Sequence, residues 1–168
     1  MKWLIPVDGS ELSLEAVAYA LRLARAGLRY ELVLVNVQEP STVYEMVTLP
    51  DSAALYDLAV AAGHDMLKPA LDLVAQADVP YSVEVRVGDV LPMLLEVLEE
   101  TGCEGVIMGS HGRGLIRRTL LGSVSHQMLQ QSPVPVTFVK HVDSEPAATE
   151  ASADADDTPE ADPPSAAR

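Results

Sequence analysis

Residues 105–125 read GVIMGSHGRGLIRRTLLGSVS, a short apolar run, a loop carrying Gly109, Gly112, Gly114 and Gly122, and the start of a helix at Ser123. An apolar run of that length between turn signals suits a strand covered on both faces. A strand that passes through glycines into a helix is one half of the unit from which parallel sheets are built. The same alternation extends in both directions from this stretch. Val- and Ile-rich runs at 2–7, 31–38, 81–87 and 135–140 join 105–108 as five strands. Their apolar content is nearly continuous, as it is in parallel strands with helices on either side.

Helical spacing fills the intervals. Leu14, Val17, Ala18 and Leu21 lie on one stripe, with Ser10 or Ser13 as the capping residue and Gly27 as the terminating glycine. A second stripe runs over 52–78 and contains Pro69, which predicts a kink there or two shorter helices. A third helix is expected over 90–100, with Pro92 in its first turn, and a fourth from Gly122 or Ser123 to about Gln131. The segment 38–51 is the one long connection. The expected architecture is α/β, a parallel sheet between helical layers.

The 168-residue chain is 48% hydrophobic, enough for one sizeable core, and its net charge is -14. Half of that charge lies after Val142. Residues 143–168 hold eight acids and Arg168, four prolines, and no Val, Ile, Leu, Met or aromatic side chain. Nothing there offsets the entropy lost on ordering, so a disordered acidic tail is expected to follow a domain of residues 1–142. The acidic balance argues against duplex nucleic acid and anionic membrane surfaces as partners. Cys103 is the single cysteine, the N-terminus lacks a secretory pattern, and charges interrupt every long apolar run. A cytoplasmic protein with no membrane span is the expectation.

Ligands of open parallel sheets bind at the carboxyl ends of the strands. Those ends carry Pro6-Val7-Asp8-Gly9-Ser10, Asn36-Val37, Val87-Gly88-Asp89 and Met108-Gly109-Ser110-His111-Gly112. The loop after 105–108 has more glycines than one turn requires. Glycines let backbone N–H groups approach a ligand, and the helix N-terminus that follows adds free donors and a positive dipole end. Ser123 and Ser125 stand where hydroxyls could add further donors. Arg113, Arg117 and Arg118, three of eleven basic side chains, fall in the same loop of an acidic chain. The pattern describes an anion cradle. No glycine precedes Lys and then Ser or Thr, and Gly112 and Gly114 lack the third glycine of a dinucleotide fingerprint, which excludes a P-loop and an NAD site. The scattered His64, His111, His126 and His141 form no metal-ligand spacing, and no Ser, His and Asp set supports nucleophilic catalysis.

The spacing Gly109, two residues, Gly112, nine residues, Gly122-Ser123, together with VDGS at 7–10 and MGSHGR at 108–113, resembles the universal stress protein family over residues 1 to about 141. The resemblance implies a five-stranded parallel sheet of order 3-2-1-4-5, Rossmann-like, and a homodimer paired through strand five. Members with the full glycine pattern typically bind ATP. By that similarity Pro6, Val7 and Asp8 take the ribose and metal side, with Asp8 as the ligand of a magnesium ion, and Val37 and Met108 lie beside adenine. Gly109, His111, Gly112, Gly122, Ser123, Val124 and Ser125 cradle ribose and phosphates, with Arg113 as a further cofactor contact. The function implied is a stress or signalling protein whose nucleotide occupancy biases conformation or partner contact, with at most weak ATP hydrolysis. A slow phosphoryl- or nucleotidyl-transfer enzyme and a dimeric interaction module with a purely structural glycine loop are the alternatives.

Overall fold

The computed structural model describes residues 1–39, 52–112 and 121–140. Nine elements follow in the expected order: β1 (Lys2–Pro6), α1 (Glu11–Arg25), β2 (Glu31–Gln38), α2 (Ser52–Ala75), β3 (Tyr81–Val87), α3 (Val90–Thr101), β4 (Gly105–Gly109), α4 (Ser123–Gln131) and β5 (Val136–Val139). The strands form one parallel sheet of order β3-β2-β1-β4-β5. Lys2 pairs with Glu31, Leu32 with Tyr81, and Val106 with Val136, so β1 sits at the centre and β3 and β5 are the edges.

The alternation of side chains along each strand builds two cores. Leu32 and Leu34 of β2, with Ile5 and Ile107, face Val17, Leu21, Leu67 and Val74 of α1 and α2. Val33 and Val35 point the other way and pack with Leu94, Val97, Leu98 and Met128 of α3 and α4. Each fully buried Leu, Ile or Val contributes about 1.5–3 kcal/mol, so both faces of β2 have to be apolar for the sandwich to hold.

Local signals set the helix ends. Ser10, and not Ser13, is the cap of α1: its hydroxyl accepts the Ser13 N–H at 3.2 Å, and the Ser13 hydroxyl donates back to the Ser10 carbonyl at 2.8 Å. At the other end the Gly27 N–H bonds the Ala24 carbonyl and the Leu28 N–H the Leu23 carbonyl. This closing motif requires the left-handed backbone that Gly27 supplies with φ of 103°.

Pro69 does not divide α2, which runs unbroken through it. Interior proline costs about 3 kcal/mol, but Leu67, Ala70 and Val74 flank it and are fully buried against the sheet. Breaking the helix would forfeit more burial than the lost hydrogen bond is worth. Among the described residues no helix is long and apolar enough to cross a membrane. The long connection's residues 40–51, the arginine-bearing segment 113–120 and the acidic segment lie outside the described residues.

Candidate functional site

The winding direction changes between β1 and β4. The chain leaves β1 for α1 on one face of the sheet and leaves β4 for α4 on the other, opening a crevice between the two loops. A cleft of about 830 Å³ lies there, at the carboxyl ends of β1, β2 and β4. Pro6, Val7, Asp8, Val37, Met108, Gly109, His111, Gly112, Gly122, Ser123, Val124 and Ser125 all line it. Of the residues singled out for a ligand from sequence, the loop arginines Arg113, Arg117 and Arg118 fall outside the described residues.

The β1–α1 turn presents Asp8. Its Oδ1 accepts the Ser10 N–H at 2.9 Å, and the turn is made possible by Gly9, whose φ is 79°. The other carboxylate oxygen lies against Gly112, where an added Cβ would stand 2.5 Å from Oδ2. The two loops therefore meet closely at Asp8 and Gly112. Gly109 is similarly hemmed in, since a Cβ there would lie 3.0 Å from the Leu12 Cβ.

Both ends of the glycine loop are pinned. The Ser110 N–H donates to the Val139 carbonyl and the Gly122 N–H to the Ser110 carbonyl, each at 2.8 Å. The buried Ser125 hydroxyl donates to the Gly109 carbonyl at 3.1 Å. This corrects the sequence expectation for Ser125. A hydroxyl has one proton, so Ser125 can offer a ligand its backbone N–H but not its side-chain donor. Ser110 Oγ and His111 Nδ1 stand 3.2 Å apart, which fixes the imidazole at the cleft wall.

Helix α4 begins with Gly122 as its cap, without a side-chain cap hydrogen bond, and has no acid in its first turn. Its first intrahelical bond is His126 N–H to the Gly122 carbonyl at 2.8 Å. The N–H groups of Ser123, Val124 and Ser125 precede that bond, so the helix geometry gives them no intrahelical acceptor. Such a terminus favours an anion. Val37, Val90, Leu94, Met108 and Val124 give the cleft an apolar wall. An apolar wall beside a terminus of open donors suits a ligand with a flat apolar body and an anionic end.

Not singled out from sequence were Gln38 and Met66 on one side of the cleft and Val90 and Leu94 of α3, which packs on the other face of the sheet. Asn36 is 1% exposed, its Nδ2 donates to the Val7 carbonyl at 2.7 Å, and its Oδ1 accepts from Gln38 Nε2 at 2.6 Å. Met66 lies 3.3 Å by its sulfur from the same Gln38 nitrogen. Gly63 lets α2 come this close, because a Cβ there would stand 2.5 Å from Val85 Cγ1 and 2.9 Å from Asn36 Oδ1. Two signals could have pointed to it: a polar Asn36 inside an apolar strand, and a lone glycine inside a helical pattern.

Residues 1–140 match the universal stress protein family. Universal stress protein MJ0531 of Methanocaldococcus jannaschii is 27% identical over 139 residues, spanning 83% of this chain and 81% of that protein. The solved structure of the protein MJ0577 from the same organism superposes with a TM-score of 0.72 at 23% identity, covering 85% of this chain and 97% of that one. A universal stress protein solved in complex with cAMP gives a TM-score of 0.61 at 25% identity, covering 83% of this chain and 96% of that one.

Proposed function

The chain belongs to the universal stress protein family, and from that premise we propose that it binds ATP with magnesium in the cleft between Asp8 and the start of α4, as a cytoplasmic stress or signalling protein. The observation that carries this reading is the grouping of the glycine loop, the open N-terminus of α4 and an apolar wall around one cleft. The solved relative with cAMP supports an adenine nucleotide as the ligand class.

The roles divide along the cleft. Val37 and Met108, with Val90 and Leu94, take the base; Pro6, Val7 and Asp8 take the ribose. Gly109, His111, Gly112 and the N–H groups of Ser123, Val124 and Ser125 surround the phosphates, and Arg113 supplies positive charge from the loop. A chain of net charge -14 repels a triphosphate at long range, so the local donors have to dominate. Hydrogen bonds to a charged group are worth about 1.5–3 kcal/mol each, which makes three or four of them sufficient. Asp8 fits magnesium, which is usually held by one or two carboxylates together with substrate phosphates and water. The ion would neutralise phosphate charge beside the Asp8 carboxylate.

Binding here needs no efficient chemistry; occupancy biases conformation or partner contact, and the protein works as a homodimer through β5. The test is to purify the protein, identify the nucleotide released on denaturation and follow it with time. Stoichiometric ATP supports the reading. ADP accumulating with turnover makes the protein an enzyme instead, and an empty protein with no thermal response to ATP leaves the glycine loop structural.

A further inference from the structure

The amide chain at the end of β2 has a direction. Asn36 and Gln38 stand two residues apart on one face of the strand. Only the NH₂ of Asn36 can meet the Val7 carbonyl 2.7 Å away, so its Oδ1 is fixed on the opposite side of the amide. That oxygen takes the Gln38 NH₂ at 2.6 Å, and the same nitrogen lies 3.3 Å from the Met66 sulfur. Both Gln38 donors are thereby committed. Its Oε1 is the end of the chain, without a hydrogen-bond partner among the described residues, on a side chain that lines the cleft. Gly63 holds α2 against Asn36 and Val85, so the network cannot relax by withdrawing the helix without loss of packing.

A fixed acceptor asks for a donor. We propose that Gln38 reads the 6-amino group of the bound purine and so selects 6-amino over 6-oxo nucleotides, an inference that rests on the ATP reading above. The order of elements says which end of the ligand Gln38 meets. The anion-binding terminus belongs to α4, which follows β4, and Asp8 follows the central β1; β2 lies beyond, on the side away from the phosphates. A nucleotide with phosphates at α4 and sugar at Asp8 therefore extends its base toward Val37 and Gln38. A 6-amino purine presents two N–H donors at that edge. A 6-oxo purine places an acceptor oxygen in the same position, against Gln38 Oε1, with no proton between them.

ATP and ITP, which differ in that group and in the protonation of the adjacent ring nitrogen, are titrated calorimetrically into the wild type, Gln38→Leu and Gln38→Met. Thermal melts of the nucleotide-free proteins check folding, and methionine keeps the length of glutamine beside Met66. The wild type should prefer ATP by roughly tenfold to a hundredfold. In both variants the preference should fall to within about threefold, through loss of ATP affinity with ITP affinity kept. A preference that survives in the variants overturns the proposal by assigning the reading to backbone groups. Equal weakening of both nucleotides overturns it by placing Gln38 at the sugar or in a structural role, and a wild type that binds both equally shows no selection. A wild type that binds neither removes the ATP reading itself.

Discussion

Replacing Gly112 with alanine is a sharp perturbation of the cleft, because its effect is one of space alone. The Gly112 backbone is not in the left-handed region, so alanine adds no backbone strain, and the residue is exposed at the mouth of the cleft. The new methyl would stand 2.5 Å from Asp8 Oδ2, whereas real Cβ contacts essentially never fall below 3.0 Å. Either the Asp8 carboxylate has to turn away or the glycine loop has to withdraw, by at least about half an ångström. The Asp8 carboxylate is tied to the Ser10 N–H at 2.9 Å and the loop to Gly122 through Ser110, so neither moves without disturbing a donor of the site. Losing one charge-assisted hydrogen bond costs about 1.5–3 kcal/mol, which is a fall in ATP affinity of roughly tenfold to 150-fold. The apolar core is not touched, so the melting temperature without nucleotide should move by no more than a few degrees. Calorimetric titration of Mg-ATP into Gly112→Ala, with a melt of each protein alone, reads both quantities. Wild-type affinity in the variant would refute the reasoning, since it would mean that the ligand does not depend on the contact of Asp8 with the loop.

Three further outcomes are expected. Gly63→Ala should destabilise the fold by about 1–3 kcal/mol in urea unfolding, since overpacking against Val85 and Asn36 outweighs the gain in helix propensity, and an unchanged or raised midpoint would contradict that account. Burial pushes the Cys103 thiol up from its ordinary value, only partly opposed by its contact with Thr101, and the residue is 6% exposed. The protonated thiol should therefore react with a disulfide reagent at pH 8 far more slowly in the native protein than in urea, and prompt native labelling would show an open site. For the edge strand β5, whose Val136 and Phe138 are only half-buried, sedimentation at micromolar concentration should show a dimer, with Phe138→Asp or Val136→Asp shifting it to monomer; a monomeric wild type would overturn the pairing.

The fold was legible because a covered parallel sheet needs strands apolar on both faces. The run 31–38 shows that in one line, with Leu32 and Leu34 serving one core and Val33 and Val35 the other. Helix punctuation was legible where it is local, at Ser10 and Gly27. At Pro69 the alternative of two shorter helices did not hold, because the local penalty lost to the burial of Leu67, Ala70 and Val74, contacts that sequence spacing alone does not weigh. The site was legible where it hangs on strand ends and glycines, which is why Asp8, Gly109, Gly112 and Gly122 meet at one cleft. Met66 and Gln38 were not legible as neighbours, because they come from a helix and a strand far apart in the chain and meet only through the gap left by Gly63. The Ser125 hydroxyl was misread because its partner, the Gly109 carbonyl, is revealed by the packing of α4 on the loop and not by the motif.

The central claim is that an adenine nucleotide sits at the carboxyl edge of the sheet with its phosphates on the first turn of α4. Backbone amide NMR of the full chain during a titration with Mg-ATP tests it residue by residue. Saturable shifts are expected at Gly109, Gly112, Ser123, Val124 and Ser125 and at Val37 and Gln38, with Leu28, Arg29 and Val79 around the hollow at the opposite edge unmoved. Shifts confined to that opposite hollow, or a spectrum unchanged at millimolar Mg-ATP, would contradict it.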